Sequence, residues 1–98
     1  MTAQAKLAAD MVYRVKQLDI VTEKFDEGML ILRFPDRHLI ALNSVAAVML
    51  SETNGRHSLT QIARRVSRTF DVSESEAIDD AIDFFHMAIQ KKLVDRVG

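Results

Sequence analysis

Three histidines, His38, His57 and His86, are the side chains best suited to acid–base or metal chemistry in this chain. They are scattered, with neither H-x-x-x-H nor H-E-x-x-H spacing among them. Asp83 and His86 stand three apart, which on a helix puts a carboxylate beside an imidazole. A dinuclear centre of that kind needs companion carboxylates from neighbouring helices. The segment that reads as the first helix supplies only Glu52 and the second supplies none, so Asp83 and His86 read as part of an exposed face. The acidic run Asp79, Asp80, Asp83 reads the same way. The chain has no cysteine, which removes disulfides, thiolate nucleophiles and Cys-based zinc sites. Its three glycines are far apart and build no phosphate-cradling loop. No cofactor, no metal site and no enzymatic activity are expected.

The other charged group with a chemical meaning is Arg56, Arg64, Arg65 and Arg68. Arginines meet phosphates in nucleic-acid interfaces, so a nucleic-acid-binding protein using this basic second helix is the alternative function. Two features count against nucleic acid as a partner. The third helix carries Glu74, Glu76, Asp79, Asp80 and Asp83 before its first cation, Lys91, and those acids would repel a phosphate backbone. The net charge is −1, from 13 basic and 14 acidic residues, so there is no global pull toward polyanions. An amphipathic helix needs a charged face in any case.

Those residues need elements to hold them. At 98 residues, with 48% hydrophobic and 28% charged, the chain suits one small domain with a single core. No apolar run approaches the roughly 18 residues of a membrane span and the N-terminus lacks a signal-type apolar region, so a cytoplasmic protein without a membrane partner is expected. Residues 1–16 are expected to be a mobile N-terminal segment, with "VYRVK" (Val12 to Lys16) a weak strand candidate, and 17–98 the domain. "IVTEKF" and "MLILRF" alternate as strands, with Gly28 between them free to take positive φ in a hairpin turn. Pro35-Asp36 turns the chain again into "HLIAL" (His38 to Leu42).

At Asn43 the apolar spacing changes from two to that of a helix. The change leaves little room for a loop, so the strand His38–Leu42 is expected at a sheet edge. Asn43 is a favoured N-cap and Asn54-Gly55 a suitable ending for the first helix. Ser58-Leu59-Thr60-Gln61 is a capping box opening the second, whose apolar stripe is Leu59, Ile62, Ala63, Val66, Phe70. Ser73 to Glu76 repeats the box for a third helix running to about Lys92, with Ile78, Ile82, Phe85, Ile89 as its main stripe. "LVDRV" follows as an irregular tail or short strand. The expected class is α+β and winged-helix-like: a three-stranded antiparallel β-meander followed by three α-helices.

"LN" at Leu42-Asn43, Ala46, Met49-Leu50, "NG" at Asn54-Gly55 and then "SLTQIARRV" resemble the PqqD-like family in order and spacing. "FDVSESEAIDDAIDFFHMAIQKKLV" is similar to that family's final segment. The likeness spans roughly residues 20 to 94. Leu50 stands where family members usually have Trp, and Asn54-Gly55 where they often have Asp-Gly. The resemblance implies a non-catalytic peptide-recognition element of ribosomal-peptide biosynthesis, quinone-cofactor (PQQ) synthesis being one such pathway. The implied partners are a precursor's leader peptide and a radical-SAM or other peptide-modifying enzyme. It further implies that the leader adds as a strand beside the third strand and against the third helix.

On those terms the expected peptide-binding residues are His38, Leu39, Ile40, Ala41 and Leu42 on the strand. Asp80, Phe84, Met87 and Lys91 join them from a second stripe of the third helix. Phe84 and Met87 would flank a groove, Met being an adaptable lining, and Asp80 and Lys91 would select for charge. The competing expectation is that Phe84 and Met87 pack on the first helix or on the N-terminal segment. A free apolar edge also allows self-pairing, so a monomer or weak homodimer is expected.

Overall fold

The computed structural model describes residues 10–97. In chain order these form β1 (Val12–Val15), a 3-10 turn (Gln17–Asp19), β2 (Ile20–Phe25), β3 (Gly28–Arg33), β4 (His38–Asn43), α1 (Ser44–Glu52), β5 (Asn54–Ser58), α2 (Leu59–Phe70), α3 (Glu74–Gln90) and β6 (Val94–Val97). The strands make two antiparallel sheets, β2-β3-β4 and β5-β1-β6. The α+β class and the meander are as expected. The winged-helix label is not confirmed.

The meander follows from alternation. Met29, Ile31, Ile40 and Leu42 are buried on its inner face, while Val21, Leu32 and Leu39 form one cross-strand row on the outer face. Gly28 is needed for a reason other than the expected positive φ: the turn is the two residues Asp26-Glu27, and Gly28 pairs with both Phe25 and Asn43. A Cβ at Gly28 would overlap the carbonyl oxygen of Leu42 and lie 3.3 Å from the Asn43 Cα. The position therefore requires the absence of a side chain.

The second sheet contains one strand, β5, that the sequence expectation did not include. β1 is its central strand, so the folded unit begins before the expected boundary at Lys16; residues 1–9 of that segment lie outside the described residues. α1 ends at Glu52 rather than at Asn54-Gly55. Thr53 is buried, its hydroxyl donates to the Met49 carbonyl at 2.6 Å, and its own carbonyl accepts from the Val15 N–H at 3.1 Å. These bonds divert Asn54–Ser58 into pairing with β1, with Gly55 at φ +85°. The tail "VDRV" is regular strand β6, paired with β1 from Val12↔Val97 to Val15↔Val94.

The helices open as expected. Asn43 Oδ1 accepts from the Ala46 N–H at 2.8 Å. Ser58 and Gln61 make both bonds of a capping box, 3.2 and 2.8 Å, and Ser73 Oγ accepts from the Glu76 N–H at 3.1 Å. The core face of α3 differs from the expected stripe: Ala77, Ala81, Phe84, Phe85 and Ala88 are buried, Ile78 and Ile82 only half-buried, and Ile89 exposed. Small side chains let α3 lie close to Ile62, Ala63 and Val66 of α2, which pushes the isoleucines to its shoulders. Tyr13 of β1 stacks on Phe85, ring centroids 5.1 Å apart, and joins the second sheet to this core.

Two outcomes are expected. Gly28→Ala destabilises the fold by about 1–3 kcal/mol, the range for overpacking, measured as a lower urea midpoint with unchanged slope. Burial raises the Tyr13 phenol above its ordinary value, with Arg96 opposing. The stability this neutral phenol contributes is complete below the ordinary tyrosine range and is lost as pH rises through the raised native value. Absorbance titration of the chain's one tyrosine should therefore show ionisation above the free amino acid's range, coincident with alkaline unfolding.

Candidate functional site

β4 pairs with β3 on one side, and no other described strand pairs with it. Among the described residues its outer edge thus has no strand partner over about 17 Å, at 3.4 Å per residue. The meander's other edge, β2, is protected differently. Glu23 and Lys24 within it and Asp26 and Glu27 just beyond are exposed charges, which discourage strand pairing. The interior positions of β4, Leu39 to Leu42, carry no charge at all.

Two contacts set α3 alongside β4. At the start of β4, Arg33 lies opposite His38 in the ladder and donates from Nη1 to the Lys91 carbonyl at the end of α3. The same guanidinium grips Asp36 in a fork, Nε to Oδ1 at 3.2 Å and Nη2 to Oδ2. A cation at a helix C-terminus also complements the helix dipole. At the other end of β4, Asn43 and the α1 residues Val45, Ala46 and Met49 face Asp80, Asp83, Phe84 and Met87 across a cleft of about 320 Å³. β4 therefore runs from the C-terminal end of α3 toward its middle.

This frame places each expected site residue. Asp80, Phe84 and Met87 come together at the cleft, Asp80 exposed and Met87 half-buried. Phe84 is only 5% exposed and packs edge-on against Phe85 at 5.1 Å, so it is a core residue whose edge reaches the cleft wall. Ile40 and Leu42 are buried, leaving them only main-chain groups to offer. Leu39 and Ala41 point to the outer face. His38 is exposed at the Arg33 end, and Lys91 is there too, its carbonyl taken by Arg33.

The cleft also contains Asn43, Val45, Ala46, Met49 and Asp83, which were not among the expected site residues. The signal for the α1 residues was the loop-free junction, which forces the first turn of α1 to sit beside the end of β4. Asp83 shares a helix face with Asp80.

Two of the four arginines in the cluster, Arg64 and Arg65, pair within the fold. Arg65 Nε lies 3.4 Å from Glu52 Oε1, which His57 Nδ1 approaches at 3.3 Å, and Arg64 Nε lies 3.6 Å from Glu74. These pairs hold α2 to α1 and α3, and the nucleic-acid reading is not favoured. Two further clefts, of about 410 and 460 Å³, adjoin at the junction of the sheets around Val15, Gln17, Thr53 and Asn54. Among the described residues no His, Asp or Glu cluster is arranged to hold a metal, and no helix is long and apolar enough to cross a membrane.

The domain is a small α+β unit in which one meander edge, β4, is uncharged from Leu39 to Leu42 and ends at a cleft. The family profile described as "Coenzyme PQQ synthesis protein D (PqqD)" matches residues 28–94, and the chain belongs to that family. Among solved structures, the PqqD truncation of Methylobacterium extorquens PqqCD, described as a stand-alone RiPP recognition element, shares the fold. It has a TM-score of 0.74 at 23% identity, over 93% of this chain and 96% of that one. TbiB1 in complex with the TbiA(beta) leader peptide gives 0.72 at 16% identity, over 84% and 94%. A lasso peptide synthetase B1 complexed with its leader peptide gives 0.72 at 19%, over 85% and 96%. A search of curated proteins returned no match.

The Arg33 fork yields a prediction. Its hydrogen bonds hold the Asp36 carboxyl below its ordinary value, with the Arg33 charge acting the same way and desolvation opposing. The contribution is present above about pH 4, the ordinary carboxylate range, and is lost as pH falls through the lowered native value. Carboxyl-carbon NMR should show Asp36 titrating below the ordinary aspartate range. Arg33→Met should restore its ordinary value and speed hydrogen exchange at the Lys91–Leu93 amides.

Proposed function

We propose that this chain is a non-catalytic recognition module for the leader segment of a ribosomally made precursor peptide. The leader adds as a strand to β4 and is presented to a peptide-modifying enzyme, a radical-SAM protein or another, in the cytoplasm. The observation that carries the reading is the uncharged free edge of β4, clamped to α3 at one end and opening on the apolar cleft at the other. Family membership supports it, as do the leader peptides bound by two proteins of the same fold.

In this reading affinity comes from main-chain bonds to the residues His38 to Leu42, and selectivity from side chains. An apolar residue of the leader enters the cleft against Met87, Val45 and the edge of Phe84. Met suits such a role because its unbranched, polarizable chain re-packs around different guests. Asp80 and Lys91 meet the guest's charges. The domain contributes proximity, holding the precursor where a partner enzyme can act on it.

The test is an amide NMR titration of the labelled chain with leader-length peptides from precursor genes adjoining its own. Saturable shifts should run along His38–Asn43 and along Asp80–Lys91. Met87→Glu, at a half-exposed position, should keep the fold and weaken binding by roughly tenfold, about 1.4 kcal/mol. Shifts that avoid both elements, or affinity indifferent to Met87→Glu, would remove the assignment.

A further inference from the structure

The two ends of β4 lie beside opposite charge. At the Asn43 end, Asp80 and Asp83 are exposed on the cleft rim, and neither has an ion-pair partner among the described residues. At the His38 end, Arg33, Arg37, Lys91 and Lys92 stand against the two carboxylates of Asp36 and Asp19. Lys92 shares a cleft of about 330 Å³ with Arg33, Pro35 and Asp36, which places it at this end. Lys16 lines the same cleft but pairs with Asp95 at 3.4 Å.

A chain with net charge −1 thus hides a strong local asymmetry along the one edge that can accept a strand. The ends lie about 17 Å apart, by the length of β4. That exceeds the Debye length of about 8 Å at physiological salt, so each end acts on its own portion of a bound chain.

Direction follows from the sheet. β2, β3 and β4 are antiparallel throughout, and a guest that continues the ladder does so most favourably in the antiparallel sense. β4 runs from the cationic end to the acidic one. An antiparallel guest therefore places its N-terminal part beside Asp80 and Asp83 and its C-terminal part beside Arg37, Lys91 and Lys92.

We infer that the site selects peptides in order of charge: a Lys or Arg first, an apolar anchor beside it, and an Asp or Glu about four to six residues later, the span of β4 in extended chain. The inference rests on the strand-addition reading and goes beyond it by naming the chemistry of the guest. The polarity also discriminates against guests of the reverse order, which would meet like charge at both ends.

Display selection of random ten-residue peptides on the immobilised full chain tests this, with the Met87→Glu variant as counter-target. The expected pool binds the native chain, is lost on the counter-target, and carries the basic-before-acidic order. In the Asp80→Lys, Asp83→Lys double variant, whose changed positions are exposed, those peptides should lose roughly five- to tenfold in affinity. Their reversed-order counterparts should gain. A Met87-dependent pool with no charge order, or with acid first, overturns the inference and leaves strand addition standing. Absence of any Met87-dependent pool overturns both.

Discussion

The strand-to-helix junction at Asn43 is the constraint on which the architecture turns. One residue closes the β3–β4 ladder opposite Gly28 and caps α1 through its side chain. No loop intervenes to absorb error, so the direction of β4 dictates the direction of α1, and α1 in turn forms one wall of the cleft. The bare backbone at Gly28 is part of the same constraint, because the strands approach too closely there for a Cβ. At the opposite end Arg33 performs the complementary task, tying the β3–β4 turn to the last carbonyls of α3. A strand held at both ends keeps its exposed edge straight and in place.

An open edge normally endangers a small protein, and this one treats its two meander edges differently. β2 carries alternating charges and ends in Asp26-Glu27, whereas β4 is uncharged from Leu39 to Leu42. The difference concentrates any strand pairing on one side. Charge then reappears at both ends of that side in opposite signs, where it can filter guests without interrupting the ladder. Cohesion elsewhere is supplied by ion pairs such as Glu52–Arg65 and Arg64–Glu74, which occupy cations that a nucleic-acid interface would need free.

Local chemistry made much of this legible in the sequence. Period-two alternation placed the meander, and Asn43, Ser58 and Ser73 announced the three helix starts because capping depends on near neighbours. What was not legible depends on distant partners. β5 has a helix-ending dipeptide, Asn54-Gly55, that is turned into strand only by β1 and by the bonds of Thr53. The core face of α3 was misassigned because isoleucine outweighs alanine on any hydrophobic scale, while close helix packing prefers the alanines. Of the cleft at the end of β4, the lining residues Asp80 and Met87 could be anticipated. The burial of Phe84, and the presence of Asp83, Val45 and Met49 around the same cleft, required knowing which helix faces meet.

The pairing of β1 with β6 places Val12 directly opposite Val97. The folded unit is thus entered and left at neighbouring points of one small sheet, while the strand edge and cleft belong to the other. A protein fused before Val12 or after Val97 would be tethered at nearly the same spot, with the β4 edge outside the tethered sheet. Fusion order then becomes geometrically neutral: an enzyme joined at either end experiences a similar effective concentration of the captured peptide, set by linker length rather than by which terminus carries it.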